Sequence, residues 1–276
     1  MSVLITGGAG KTGRRLAQRL DARGAAYRVA SRAASDDPRT RRFDWTDRAT
    51  WPAAIEGTRG IYLVPPPGGG DPAAMINFAR LALERGAGRI VLLSASLLPA
   101  GGPGAGQIHA WLRDHAPDWA VLRPSWFMQN FSEGQHLETI RTEGRIYSAT
   151  GQGRVAFISA DDIASAACAA LTAPEPLQAE FVLTGPEALS YDQAAREIGE
   201  AAGRRIEHVR LSVEALAARH VAAGLPPMTA QILAGMDALI ADGAEDRVTD
   251  AVEVLTGAPP MGLAAFCRAA ASVWAA

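Results

Sequence analysis

The feature that most constrains this chain is its opening stretch, Ser2-Val3-Leu4-Ile5-Thr6-Gly7-Gly8-Ala9-Gly10-Lys11-Thr12-Gly13. The apolar run at residues 3–5 has the length of a buried parallel strand, and it stops at glycines spaced Gly7-x-x-Gly10-x-x-Gly13. That order predicts a strand, a tight turn and a helix. A backbone approaches a pyrophosphate closely only where no side chain stands at Gly7 or Gly10, and a side chain at Gly13 would push the helix off the strand. The helix then offers free N–H groups and the positive end of its dipole to an anion. Gly10-Lys11-Thr12 looks like the end of an NTPase phosphate loop, but that pattern needs a glycine five residues before Gly10, where Ile5 stands. Lys11 and Thr12, at the helix start, are instead expected beside the phosphates of a dinucleotide.

The context extends this unit. The helix continues through Leu16, Ala17 and Leu20, and a second strand over 27–30 ends at Ser31-Arg32, 19 residues beyond Gly13. At this point a nucleotide-binding βαβ unit reads the ribose 2′ position, with an acid for NAD or an arginine for the 2′-phosphate of NADP. No acid stands there, so Ser31 and Arg32 predict NADPH in preference to NADH. Further on, Phe43-Asp44-Trp45 has two readings. A strand ending here puts Asp44 at the adenine amine with Trp45 or Phe43 against the ring; alternatively Asp44 caps a helix over 46–55. A compact strand at 60–64 runs into Pro65 and Pro66, expected beside the cofactor because open α/β sheets bind ligands at the carboxyl ends of their strands. Another strand at 89–93 ends in Ser94, a candidate hydrogen-bond donor near the nicotinamide. A helix over 105–115 carries His109, and the strand at 119–122 leads to Pro124, also placed at the cofactor.

Alternating strands and helices with short links predict an α/β fold: a Rossmann-type, doubly wound parallel sheet with helices on both faces. From about residue 131 the rhythm changes to short strands and longer helices. Residues 1–130 are therefore expected to form the NADP-binding domain. Residues 131–276 are expected to form a smaller, mixed substrate lobe with some elements returning to the first domain. The net charge of −2 gives no basic footprint for nucleic acid or anionic membrane. Two cysteines suit a reducing cytoplasm, no apolar run reaches membrane-span length, and a strand at residue 3 is not a leader pattern. No His or Cys cluster has metal-ligand spacing. The expected partners are a small molecule and at most a second copy of the chain.

Six segments, Thr6 to Gly13, Ser31-Arg32, 91–96 (Val-Leu-Leu-Ser-Ala-Ser), 122–131 (Leu-Arg-Pro-Ser-Trp-Phe-Met-Gln-Asn-Phe), 158–164 (Ile-Ser-Ala-Asp-Asp-Ile-Ala) and 183–187 (Leu-Thr-Gly-Pro-Glu), together resemble the NmrA-like branch of the atypical short-chain dehydrogenase/reductases. The 122–131 segment and Gly106-Gln107-Ile108-His109 look most like the ergot-alkaloid reductases of the festuclavine and agroclavine type. That resemblance implies a reductase that uses NADPH on a C=N or conjugated iminium bond. The branch also contains NmrA, which implies a second class of function, a redox sensor that binds NADP(H) without turnover. Quinone or dye reduction is a third.

Ordinary short-chain dehydrogenases use Tyr-x-x-x-Lys, in which the lysine lowers the tyrosine pKa so that it protonates a carbonyl oxygen at neutral pH. Lys11 is the only lysine here, and Tyr27, Tyr62, Tyr147 and Tyr191 have no lysine four residues on. An iminium carbon is already cationic and accepts hydride without protonation, so the composition points to easy electrophiles. Counted forward from Ser94 and Ser96, His109 falls where the missing tyrosine would stand, which makes it the spare catalytic acid with Ser94 as a donor; counted back from Leu122-Arg123-Pro124, Gly101 and Ala105 take the tyrosine and lysine places. Trp126, Phe127 and Phe131 are expected to form an aromatic wall for a flat or cationic substrate.

Overall fold

The computed structural model describes residues 2–275. In chain order its elements are β1 (Val3–Ile5), α1 (Lys11–Ala22), β2 (Tyr27–Ser31), β3 (Thr40–Arg42), α2 (Trp51–Ile55), β4 (Gly60–Leu63), α3 (Pro72–Glu84), β5 (Arg89–Leu93), α4 (Ala105–His115), β6 (Trp119–Pro124), α5 (Gln129–Ser132) and α6 (Leu137–Glu143). There follow β7 (Arg145–Ser148), β8 (Arg154–Val155), α7 (Ala160–Thr172), β9 (Ala179–Leu183), β10 (Leu189–Ser190), α8 (Tyr191–Ala202), β11 (Glu207–Arg210), α9 (Val213–Ala222), α10 (Pro227–Ala241), α11 (Ala251–Thr256) and α12 (Leu263–Ala270). They fall into two compact units. One holds the chain up to Pro124 with Ala160–Leu183 and Ala251–Ala258; the other holds Ser125–Ser159, Thr184–Asp250 and the chain from Pro259 on.

The first unit is the Rossmann-type fold expected. Its seven strands run in the order β3-β2-β1-β4-β5-β6-β9, and every pairing is parallel. The strand order reverses at β1, which pairs with β2 on one side and β4 on the other. Strands covered on both faces must be apolar throughout, and β4, with Ile61, Tyr62 and Leu63 all at 0% exposure, meets that demand. One face packs against α3 and α4, where Phe78, Ile108 and Leu112 meet Ile90, Leu92 and Val121. Beside α1, α7 covers the other face, joined to it by Arg15 Nε donating to Asp161 Oδ2 at 2.9 Å.

Two local expectations shift. The third strand is Thr40–Arg42, inside the polar stretch rather than at residues 43–45. It lies at a sheet edge, where one side meets water and charged side chains are tolerated. The expected helix over 46–55 begins as a 3-10 turn at Arg48–Thr50 and becomes α2 only at Trp51, because Pro52 is accepted only in a first helical turn. Asp47, not Asp44, caps that turn by accepting from Ala49 N–H.

The second unit is built around a separate core. Met128, Phe131, Ile146, Phe157, Tyr191, Ile198, Ile240 and Trp274 are all buried together. Two small sheets, antiparallel β10-β8 and parallel β11-β7, flank α8, whose N-terminus is closed by a reciprocal Ser190–Gln193 capping box. Among the described residues no helix is long and apolar enough to cross a membrane.

Candidate functional site

The turn after β1 has the geometry its glycines demand. Gly7 has φ +68°, a left-handed conformation that L side chains rarely adopt. A Cβ on Gly10 would stand 3.0 Å from the Gly7 carbonyl oxygen, and one on Gly13 would stand 2.3 Å from that oxygen and 2.8 Å from the Gly8 Cα. Gly10 is the N-cap of α1 and supplies no side-chain acceptor, so the turn's N–H groups have no capping side chain. Thr6 fixes the base of the turn: its hydroxyl donates to the Tyr62 carbonyl at 3.0 Å and accepts from Val64 N–H at 2.7 Å. Thr12 is buried in the first turn of α1, and Lys11 is partly buried beside it.

At the carboxyl ends of β2 and β3 the sheet brings Arg32 and Asp44 together. Ser31 pairs in register with Arg42, and Phe43 N–H donates to the Ser31 carbonyl at 2.8 Å. Ser31 turns its hydroxyl onto its own loop, accepting from Ala33 N–H. Arg32 is exposed. Asp44 accepts from the Thr46 N–H and hydroxyl, which hold its carboxyl below the usual range, and the positive charges of Arg32 and Arg42 add to this. The Trp45 ring stands edge-on to Phe43 at 4.8 Å and to Phe78 at 5.3 Å. Pro65 and Pro66 follow β4 and are half-buried.

The carboxyl ends of β5 and β6 hold Ser94 and Pro124. Ser94 N–H donates to the Leu122 carbonyl at 2.8 Å and Ser96 N–H to the Pro124 carbonyl at 3.0 Å, so the β5 tail runs on alongside β6. The Ser94 hydroxyl oxygen is buried and has no hydrogen-bond partner among the described residues. His109 is carried by α4. It is 2% exposed, under α4, with its ring 5.7 Å from that of Trp119 at the amino end of β6 and its Nδ1 3.5 Å from Glu180 Oε2. Burial pushes its pKa down, and the Glu180 charge opposes this only in part.

Sequence reasoning missed Arg123 and Glu180. Arg123, on β6 and 9% exposed, donates to Glu180 Oε2 at 2.8 Å and to the Ser96 carbonyl at 2.6 Å. The available signal was one cation inside an otherwise apolar strand, with a carboxylate in the strand that pairs beside it.

In the second unit Trp126 and Phe127 are half-buried on a stretch tied to Ile158, which accepts from Met128 N–H and donates to the Trp126 carbonyl, each at 2.9 Å. Phe131 is fully buried, 5.3 Å from the rings of His136 and Phe157 and 5.9 Å from Tyr191. The four tyrosines are engaged or enclosed. Tyr27 bonds to Asp21 and Tyr147 to Glu143, while Tyr62 and Tyr191 are buried, which pushes both phenols up.

A family profile described as NAD(P)H-binding matches residues 7–174, from Gly7 through the end of α7. The chain belongs to the NAD(P)H-binding family. Within this family it is 46% identical over 275 residues to an uncharacterized oxidoreductase of Bacillus subtilis, YesF, covering 99% of this chain and 96% of that one. It is 40% identical over 287 residues to agroclavine dehydrogenase of Claviceps fusiformis, covering 99% of each. The resemblance to clavine-type reductases therefore stands, and the protein is an NAD(P)H-dependent reductase. The fold alone is shared with the triphenylmethane reductase of Citrobacter sp. solved with NADP(H), at TM-score 0.81 and 21% identity over 98% of this chain and 100% of that one. The residues here fit such a cofactor: the glycine turn is a cradle that a Cβ would fill, and the Ser94 hydroxyl is a buried polar group left unpaired.

Proposed function

We propose that this NAD(P)H-binding protein uses NADPH, in preference to NADH, to reduce an activated double bond, an imine, iminium or conjugated C=C, in a small and largely apolar molecule. The observation that carries the reading is the complete inventory of tyrosine and lysine. The one lysine opens α1 at the glycine turn, and no tyrosine can be paired with it four residues on. The chain therefore carries no Tyr-x-x-x-Lys pair to protonate an alkoxide, and a neutral ketone is a poor substrate for it. The relative named agroclavine dehydrogenase, similar along the whole chain, supports the same class of acceptor.

When bound, NADPH supplies a hydride that forms the new C–H bond at an iminium carbon while the C=N π pair moves onto nitrogen, giving a neutral amine without a proton donor. The chain's own part is to hold and orient. Gly7, Gly10 and Gly13 admit the pyrophosphate, with Lys11 and Thr12 beside it. Ser31 and Arg32 take the 2′-phosphate, Asp44 and Trp45 the adenine end, and Pro65, Pro66 and Pro124 line the path to the nicotinamide. Ser94 donates to the nicotinamide end, and Trp126 and Phe127 offer aromatic faces to a cation. His109, whose pKa burial pushes down, acts as a hydrogen-bonding group rather than a strong acid.

The test is NADPH oxidation by the purified protein with a cyclic iminium, an α,β-unsaturated ketone and a quinone, set against NADP reduction by a secondary alcohol. Turnover with the iminium or the enone and none with the alcohol is expected. Failure with all three acceptors, or efficient alcohol oxidation, overturns the proposal.

A further inference from the structure

The loop that carries Ser94 is held more firmly than a strand end requires. Main-chain hydrogen bonds reach it from Leu122 and Pro124, on either side of Arg123. Between them the Arg123 guanidinium curls back over the loop. Its Nη2 donates to the Ser96 carbonyl at 2.6 Å, and its Nε approaches the Ala95 carbonyl at 3.5 Å. The third edge of the same guanidinium is taken by Glu180 on β9, at 2.8 Å. A planar group with five N–H donors presents them in a fixed fork that satisfies two carbonyls and a carboxylate at once.

The side chains at both ends of this arrangement differ in kind. Everything Arg123 touches is paired, yet the Ser94 hydroxyl, carried by the loop it clamps, is buried and unpaired. Leaving a buried hydroxyl without a partner is unfavourable, and a rigid clamp prevents the loop from relaxing to find one. Glu180 in turn stands 3.5 Å from the buried His109 Nδ1, so the carboxylate that fixes Arg123 is itself flanked by a buried imidazole.

We infer that Arg123 is a positioning residue for the reduced cofactor: by clamping the Ala95 and Ser96 carbonyls it aims the Ser94 hydroxyl at the carboxamide of the bound nicotinamide. The inference rests on the reading of this protein as an NADPH-dependent reductase. Arg123 itself touches neither cofactor nor substrate. Its effect is on where the nicotinamide ring is held, while the phosphates and adenosine are held elsewhere.

The experiment compares the whole protein with Arg123→Met, Arg123→Lys, Ser94→Ala and the Arg123→Met/Ser94→Ala double variant. Two readouts are taken without turnover: NADPH affinity by titration, and the nicotinamide fluorescence lifetime of bound NADPH, which reports how tightly the ring is held. Arg123→Met and Ser94→Ala are each expected to shorten the bound lifetime towards that of free NADPH while weakening affinity less than about fivefold, and the double variant should match Ser94→Ala alone, because two residues acting through one contact are not additive. Arg123→Lys should fall between wild type and Arg123→Met. A wild-type lifetime in Arg123→Met or Arg123→Lys overturns the inference, as do independent losses that multiply in the double variant. If Arg123→Met does not fold, Arg123→Lys decides alone. Absence of NADPH binding by the wild type would instead sink the reductase reading, so the two failures are told apart.

Discussion

Gly13 sits so close to Gly7 that a Cβ on it would stand 2.3 Å from the Gly7 carbonyl oxygen and 3.0 Å from the Gly7 carbonyl carbon. Those neighbours are backbone and cannot step aside without moving α1 off β1. Gly13→Ala should therefore lower dinucleotide affinity by more than tenfold and lower the melting temperature together. Gly8→Ala is a useful contrast, since the added Cβ would meet Val29 Cγ1, also at 2.3 Å, and a side chain can yield where backbone cannot. A calorimetric titration with NADPH should rank the two variants in that order; equal losses would show that the Gly7–Gly13 approach is not what holds the turn.

Arg32 is exposed at the end of β2, close enough to Asp44 to lower its pKa. A charge-assisted hydrogen bond contributes about 1.5–3 kcal/mol, or roughly 10- to 100-fold in affinity. Arg32→Ala should weaken NADPH by an amount in that range and leave NADH within about twofold. Equal weakening of both cofactors would remove the basis for NADPH preference. Arg32→Lys should recover only part of the loss, because an ammonium lacks the planar fork that matches a phosphate.

Burial pulls the His109 pKa below its usual value, against the opposing charge of Glu180. The pH profile of kcat is expected to show no inflection near pH 6.5 that belongs to this residue. His109→Asn should leave the shape of that profile unchanged from pH 6 to 8. An inflection that disappears with the substitution would make His109 the proton donor after all.

His136 is buried against Phe131 and Tyr191, and burial, with smaller contributions from His220 and His208, pushes its pKa down to about 3. The unfolded chain takes up this proton near pH 6.5 while the folded chain refuses it. Stability carried by the neutral ring is therefore complete above pH 6.5 and is lost on acidification towards pH 3, by about 1.4 kcal/mol per pH unit. Asp237 acts with the opposite sign. Its carboxyl is pushed up to about 6 by burial, although Ala149 N–H donates to it at 2.9 Å. Its stabilising effect is present below pH 4 and lost as pH rises through 6. In urea titrations His136→Phe should flatten the acid side of the stability profile. Asp237→Asn should raise the urea midpoint at pH 8 and change it little at pH 4; the reverse order would contradict the burial of the carboxylate.

Much of this was legible in the sequence, for reasons that differ from place to place. The first strand, the glycine turn and α1 follow from local chemistry, since only glycine fits at Gly7 and Gly13. The edge strand Thr40–Arg42 escaped because polar side chains on an edge carry no apolar signal. Helix α10, Pro227–Ala241, starts where its sequence marks a first turn, at Pro227. The Arg123–Glu180–His109 cluster was hidden because its three members come from β6, β9 and α4, and only the parallel pairing of β6 with β9 brings Arg123 within reach of Glu180.

Trp126 and Phe131 lie five residues apart and separate two roles that sequence alone left joined. Phe131 has no exposed surface; His136, Phe157 and Tyr191 enclose its ring, and its carbonyl accepts from the Trp274 indole N–H at 2.8 Å. Removing it leaves a cavity in a core, which costs about 3–5 kcal/mol for Phe→Ala. Trp126 is half-buried at the margin of the same core. Phe131→Ala is therefore expected to lower the unfolding free energy by that amount, whereas Trp126→Ala should lose about 1 kcal/mol or less in stability and raise KM for a cationic acceptor several-fold with kcat little changed. Urea unfolding and steady-state kinetics on the pair decide it. A Phe131→Ala variant as stable as wild type but with a raised KM would return that ring to the substrate, and an unchanged KM in Trp126→Ala would take the substrate away from Trp126.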